Sequence, residues 1–454
     1  MTGRRFLIAL FVLMLPFVGR KIRGADEIQY FSHLRSMVFD QDLDFANEYQ
    51  YFYDRDPEGL RGGFKETYLD RREVLTQRNI NFTPIGCAVL WSPFYLLAHA
   101  GVLAARSLGS GVAADGFSTP YVAAVGYASA LYAFVGLLLT HSALRRWADM
   151  ADTAATAAVA ALWWGTPLLY YMTIAPAFSH ATSMMTVGLV VWLSLRAWSR
   201  DTWTWRETVV IGLAGGVAAL VYEKELLYLS VPGLLLAAWA LKTRRWAEAA
   251  TSAVAMGATA VLILVPQILA YRTLNGTFGP SPLVRRKMDY ACPHCFEVLV
   301  DPGRGLFLWA PLVLVALVGL VVFWNRRRDA LASALLAAFV LQIWICGSVQ
   351  SWHLAGAFGS RRFVSSAVIL AFGLATLVGW ARARVGRAAT YAALVLFVWW
   401  NVSLMVQFGL RLMDRQRLEW PQVAKNQVIE VPRHLFRAVW LYFADPERLL
   451  KETR

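Results

Sequence analysis

Apolar runs long enough to form membrane helices alternate with short basic clusters along the whole chain, and the alternation predicts an all-α polytopic membrane protein. Apolar segments are expected at about 5–19, 119–143, 152–171, 180–198, 208–222, 226–241, 249–270, 304–323, 330–349, 362–380 and 388–408. Together they make about eleven crossings. A twelfth apolar stretch, about 84–105, carries Pro93 and His99 and follows a polar segment. The basic clusters "LRRW", "KTRRW", "NRRRD" and "RARVGR" belong in the cytoplasm by the positive-inside rule. Between the first span and "LRRW" the chain must cross an odd number of times, so one of the two apolar helices there does not span. The reading assigns 84–105 to the outer membrane face as an interfacial helix.

This parity sorts the polar material onto one side. The first external loop (about 20–118), the segments near 271–303 and 350–361, and the tail 410–454 all face the extracytoplasmic side, leaving 1–409 as the transmembrane domain. The N-terminus has the basic start and apolar core of a secretory signal but lacks an A-x-A site. It is read as an uncleaved first span, stretched by Arg4, Arg5 and Arg20 at the two interfaces.

Composition agrees with the pattern: 57% of the 454 residues are hydrophobic and only 16% charged, far from a soluble domain. The net charge of +14 is spread between apolar runs rather than gathered on a hydrophilic module, which excludes a nucleic-acid-binding protein. There is no internal repeat and no Gly-rich nucleotide loop.

Candidate chemistry begins at "GADEIQYFSHLRSMVFDQDLDF", where Asp26 and Glu27 follow the first span. Read with "PAFSHATS", "GRGLFLWAP" and "SWHLAGAFGSRRF", this stretch resembles the GT-C superfamily of membrane glycosyltransferases. The likeness in pattern is to bacterial relatives of the protein O-mannosyltransferases and the aminoarabinose transferases, and it covers nearly the whole chain. The resemblance implies a GT-C-like fold with an external interfacial helix, an acid after the first span acting on the acceptor, and a donor sugar carried on polyprenyl phosphate. The implied protein is an inverting transferase of a hexose or pentose in the cytoplasmic (inner) membrane, with its site on the extracytoplasmic side. Its partners are that donor, membrane lipids and an extracytoplasmic protein, lipid or glycan acceptor.

Such a transfer needs a base for the acceptor hydroxyl and cations for the departing phosphate. Asp26 is the candidate base, with Glu27 orienting or substituting for it. The bland reading is that both acids solvate the end of the first span or cap the helix that follows. Arg78, Lys224, Arg361 and Arg362 are the donor-phosphate candidates, since basic residues are less expected at an outer interface. Snorkelling to lipid headgroups is the alternative for each, and for Lys224, flanked by Glu223 and Glu225, a local ion pair. His180, Trp352 and His353 are candidates for sugar or acceptor contact, against a structural role at helix ends.

Relatives of this kind often carry a second acid near the position of Ala175, and none stands here, so a two-acid mechanism and a metal between the first two loops lack support. No zinc or magnesium spacing replaces it, and no cofactor is assigned. Cys292 and Cys295 form "CPHC", a spacing shared by disulfides, thiol oxidoreductases and zinc sites; a structural disulfide is the leading reading. Cys87 and Cys346 fall in apolar segments, as packed thiols. The sequons at Asn81 and Asn275 would matter only in a eukaryotic secretory route. Two other functions compete with a transferase. A transporter or flippase for a lipid-linked or polymeric sugar would place charges near the bilayer midplane, in paired halves. A non-catalytic membrane subunit needs none of the short motifs.

Overall fold

The computed structural model describes residues 2–444 except 61, 202 and 355; residues 445–454 of the C-terminal tail lie outside the described residues. Every predicted apolar segment is helical, because a buried backbone without water must close its own hydrogen bonds. In chain order the helices are α1 (Gly3–Met14), α2 (Ala25–Arg35), α3 (Ala46–Arg55), α4 (Gly86–Ser107), α5 (Thr119–Trp147), α6 (Asp152–Trp164) and α7 (Leu168–Thr173). There follow α8 (Ser179–Ser199), α9 (Trp205–Val221), α10 (Ser230–Thr243), α11 (Trp246–Asn275), α12 (Pro282–Arg285), α13 (Glu297–Val300) and α14 (Leu306–Trp309). The last are α15 (Pro311–Arg327), α16 (Ala330–Gly347), α17 (Ala367–Arg384), α18 (Arg387–Gly409), α19 (Trp420–Lys425) and α20 (Val431–Ala444). Extended pairing among the described residues is confined to the isolated bridges Arg72–Asn79 and Met288–Val349. Among the described residues, eight helical segments are long and apolar enough by themselves to cross a membrane. One of them is α4, so its assignment to the membrane face rests on charge parity rather than on length.

The chain divides into two compact units. One comprises Ile8–Ala143 and Tyr171–Lys287. It is built on α9 packed along α11 and on α8 beside α9, with α2 packed against α3 and α4. Only small residues let the backbones approach this closely: a Cβ on Gly136 of α5 would lie 2.3 Å from the Met184 carbonyl of α8. The helix α2 is buried nearly all round and held by the segment before α4. Gln29 Oε1 accepts from the Phe82 N–H at 2.8 Å, Asn81 Nδ2 donates to the Gln29 carbonyl at 3.1 Å, and His33 Nε2 lies 2.9 Å from the Thr83 carbonyl. Asn81 is therefore a buried bracket, closed to glycosylation.

The other unit comprises Met1–Leu7, Leu144–Tyr170 and Met288–Arg454. Here α17 packs on α15 and α6, again through glycine: a Cβ on Gly373 would lie 2.1 Å from the Ala316 carbonyl. The predicted span 152–171 differs from expectation, for it is two helices broken at Gly165–Pro167. Proline removes an N–H and leaves carbonyls unpaired in an apolar setting. Asn401 of α18 supplies the missing donor, bonding the carbonyls of Trp164 and Thr166 at 2.9 Å each. The span expected at 304–323 is likewise broken, between α14 and α15 at Pro311.

Candidate functional site

The first span delivers the chain to Gly24, where α2 begins. Glu27 sits at its third position and turns back: the backbone N–H groups of Arg23 and Gly24 donate to its Oε2 at 3.1 and 3.0 Å. This is the capping role, in which an acid satisfies orphan donors at the positive end of a helix. Glu27 is 3% exposed and its second oxygen, Oε1, is buried without a hydrogen-bond partner. Burial pushes its carboxyl up to about 7, the two backbone bonds opposing. Asp26, one residue earlier, is half-buried and shares a helical face with Tyr30, four residues on. The two acids therefore divide: Glu27 points into the helix start, while Asp26 faces the side that Tyr30 occupies.

Tyr30 carries the face across to other elements. Its hydroxyl donates to Ser179 Oγ at 2.9 Å, at the first residue of α8, and its ring meets Trp91 of α4 at 6.3 Å. Burial, with Tyr222 and Asp26 nearby, raises the Tyr30 phenol well above its ordinary value, so it stays a neutral donor. His180, beside Ser179, is buried between the rings of Tyr171 (4.8 Å), Phe178 (5.6 Å) and Tyr222 (5.6 Å). Phe178 closes the circuit: it lies 3.7 Å from the position a Cβ would take on Gly24.

After α9 the chain extends at Tyr222 and then coils tightly through Glu223–Leu229, a 3₁₀ turn. Lys224 Nζ sits 4.7 Å from the Tyr222 ring centroid and donates to Glu225 Oε1 at 2.8 Å. The side chains of this pair are 9% and 1% exposed, so it is a buried ion pair rather than a solvated one. The α2 start, the 178–180 corner and the 222–225 turn thus converge within one unit, bringing the segments of Asp26, His180 and Lys224 together. Sequence reasoning passed over Tyr30, Ser179 and Tyr222, which join these segments. Only the i, i+4 spacing of Asp26 and Tyr30 signalled the first of them.

Arg78 lies in the same unit on the 71–80 loop, half-buried; that loop is fastened by Thr76 Oγ1 donating to the Leu274 carbonyl at 2.5 Å, near the end of α11. The remaining candidates belong to the other unit. Arg361 and Arg362 open the helical segment that leads into α17, and Arg362 donates to the Ser351 carbonyl at 3.2 Å and Oγ at 3.3 Å. Trp352 stands 5.6 Å from His294 and 5.9 Å from His353, ring to ring. Cys292 and Cys295 are joined as a disulfide, which places His294 beside Trp352. Arg304 of the "GRG" segment, not singled out from sequence, is buried and donates to the carbonyls of Ala357, Arg415 and Gln416, clamping the start of the tail. Among the described residues no group of three His, Cys, Asp or Glu side chains is arranged to hold a metal.

No family model and no curated protein matches the chain. Solved structures do. The crystal structure of ArnT from Cupriavidus metallidurans bound to undecaprenyl phosphate superposes with a TM-score of 0.51 at 16% identity, covering 97% of this chain and 81% of that one. The apo structure of the same protein gives a TM-score of 0.51 at 17% identity, covering 96% and 79%. At such identity the likeness is one of fold alone: this chain shares the fold of that ArnT structure.

Proposed function

We propose that the chain is an inverting glycosyltransferase that moves a sugar from a polyprenyl-phosphate carrier to an extracytoplasmic hydroxyl. One observation carries the reading: the half-buried Asp26, aromatic-lined His180 and the Lys224 turn converge in one unit of a fold whose solved neighbour binds undecaprenyl phosphate. In the reaction the acceptor oxygen bonds the anomeric carbon as that carbon's bond to the phosphate oxygen breaks. The proton passes to Asp26, and the electron pair leaves with the phosphate. A cation at the leaving group stabilises this charge, the role given to Lys224; Glu225 holds its ammonium in place. Glu27 fixes the backbone from which Asp26 projects. His180 and the rings around it form a face suited to a sugar. Arg78, in the same unit, is carried as a further phosphate contact, whereas Arg361, Arg362, Trp352 and His353 belong to the other unit and take no part in this proposal. The acceptor is a protein, lipid or envelope glycan.

The test is release of polyprenyl phosphate from synthetic polyprenyl-phosphate sugars, followed by mass spectrometry, with wild-type protein and Asp26→Asn in the presence of crude envelope acceptors. Release by wild type, lost in a folded Asp26→Asn, is expected. Equal release by both would remove Asp26 from the chemistry; no release, with the same lipids crossing liposome bilayers, would replace transfer by flipping.

A further inference from the structure

The tail does not leave the membrane domain as a free segment. After α18 the chain turns at 410–419, where Leu418 N–H donates to the Gly303 carbonyl at 2.9 Å and Trp420 Nε1 to the Pro302 carbonyl at 3.0 Å. It then runs back along α18. Asn426 and Gln422 donate to the Leu412 carbonyl at 2.6 and 2.8 Å, and Gln427 reaches the Trp400 carbonyl at 3.4 Å. Trp400 is nine residues short of Gly409, the end of α18. At the helical rise this is roughly 13 Å back along an apolar span. The root of α20 therefore lies at a depth where the bilayer, not water, surrounds α18, and α20 itself packs against α18.

The sequence of α20, "VPRHLFRAVWLYFA", divides its circumference into three sectors. Val431, Leu435, Ala438, Leu441 and Tyr442 face the protein, with Val431 and Leu441 buried. Phe436, Val439, Trp440 and Phe443 are 84%, 39%, 55% and 49% exposed and fall within an arc of about 100° at 3.6 residues per turn. Arg433 and Arg437, both exposed, fill the sector beside that arc, and the helix carries no acid. Aromatic and aliphatic side chains on one flank and arginines on the next are the pattern of a helix lying in a lipid interface, rings toward the acyl chains and guanidinium groups at the phosphates.

We propose that α20 is a lipid-embedded interfacial helix, with Phe436, Val439, Trp440 and Phe443 buried in one leaflet and Arg433 and Arg437 engaging anionic headgroups. Its occupant is the bilayer itself, argued from the depth at which the Trp400 contact roots it and from its uniformly basic charge. The inference is independent of the transfer reaction. It turns the tail from an external appendage into a second membrane anchor.

The test is site-directed spin labelling of the full chain in nanodiscs containing anionic lipid, with Cys87 and Cys346 replaced by alanine and single cysteines at 433, 436, 437, 439, 440 and 443. Oxygen collisions should exceed those of a water-soluble nickel chelate at 436, 439, 440 and 443, with the reverse at 433 and 437. Free access of the chelate to all six positions would overturn the proposal. So would exclusion of both reagents from the apolar positions with spin–spin broadening, which would mean that a second copy of the chain covers this face.

Discussion

The hydroxyl of Tyr30, on α2, donates to Ser179 Oγ at 2.9 Å, joining residues 149 positions apart at the first residue of α8. His180, packed against Tyr222, is the next residue along, so this bond links the helix of Asp26 to the rest of the cluster. Tyr30→Phe leaves a buried Ser179 without its donor and should cost about 1–2 kcal/mol of stability. Adding Ser179→Ala should cost little more, because the pair acts as one unit. Thermal unfolding of the two single variants and the double variant in detergent checks this; additive losses would show that the bond contributes nothing.

Glu27 gives a pH signature. Its carboxyl titrates near 7 in the folded protein against 4.5 ordinarily, so between those values the folded state holds the proton that the unfolded state has lost. Its contribution to stability is full below about 4.5 and is lost as pH rises through 7. His33 acts oppositely: burial lowers it to about 4, so its contribution is present above 6.5 and lost as pH falls toward 4. Glu27→Gln stays neutral and retains an oxygen for the two backbone donors. Relative to wild type it should gain on the order of 2–3 kcal/mol between pH 5 and pH 8. The His33 contribution cancels in that comparison. Parallel pH profiles of melting temperature for the two proteins would contradict it.

Lys224 and Glu225 separate structure from chemistry. Either Lys224→Met or Glu225→Gln leaves a buried partner uncompensated and should cost roughly 3 kcal/mol or more. The double variant Lys224→Met, Glu225→Leu should recover most of that stability. If Lys224 meets the leaving phosphate, the double variant stays inactive in the release assay while folding well. Recovered activity would reduce Lys224 to an ion pair.

The α15 and α17 contact depends on glycine. At Gly373 a Cβ would lie 2.1 Å from the Ala316 carbonyl and 2.2 Å from the Leu320 nitrogen, whereas at Gly379 on the same helix it would meet nothing within 4 Å. Gly373→Leu should abolish folded yield or cut it severely, and Gly379→Leu should be neutral. Fluorescence-detected size exclusion on both variants decides; a monodisperse Gly373→Leu peak at wild-type level would show that the helices can part without loss.

Much of this was readable locally. A membrane helix is specified by its own apolar length, so the spans declare themselves one at a time, and the basic clusters orient them without reference to distant parts of the chain. The two readings of the acids after the first span were likewise local: capping needs only an acid three residues into a helix, which Glu27 is.

What the tertiary structure decided depends on partners far along the chain. Apolar runs flank Gly165–Pro167 on both sides, so the segment reads as one span, and the break is satisfied only by the distant donor Asn401 of α18. Charge parity places the tail outside from local signals, whereas its return along α18 depends on Gln427 meeting Trp400. The meeting of Asp26, His180 and Lys224 through Tyr30, Phe178 and Tyr222 is of the same kind. Sequence alone determined which segments leave water, because that is a transfer free energy of each segment by itself. Which side chains then face one another was settled by packing and by pairing of buried polar groups, properties of the assembled chain.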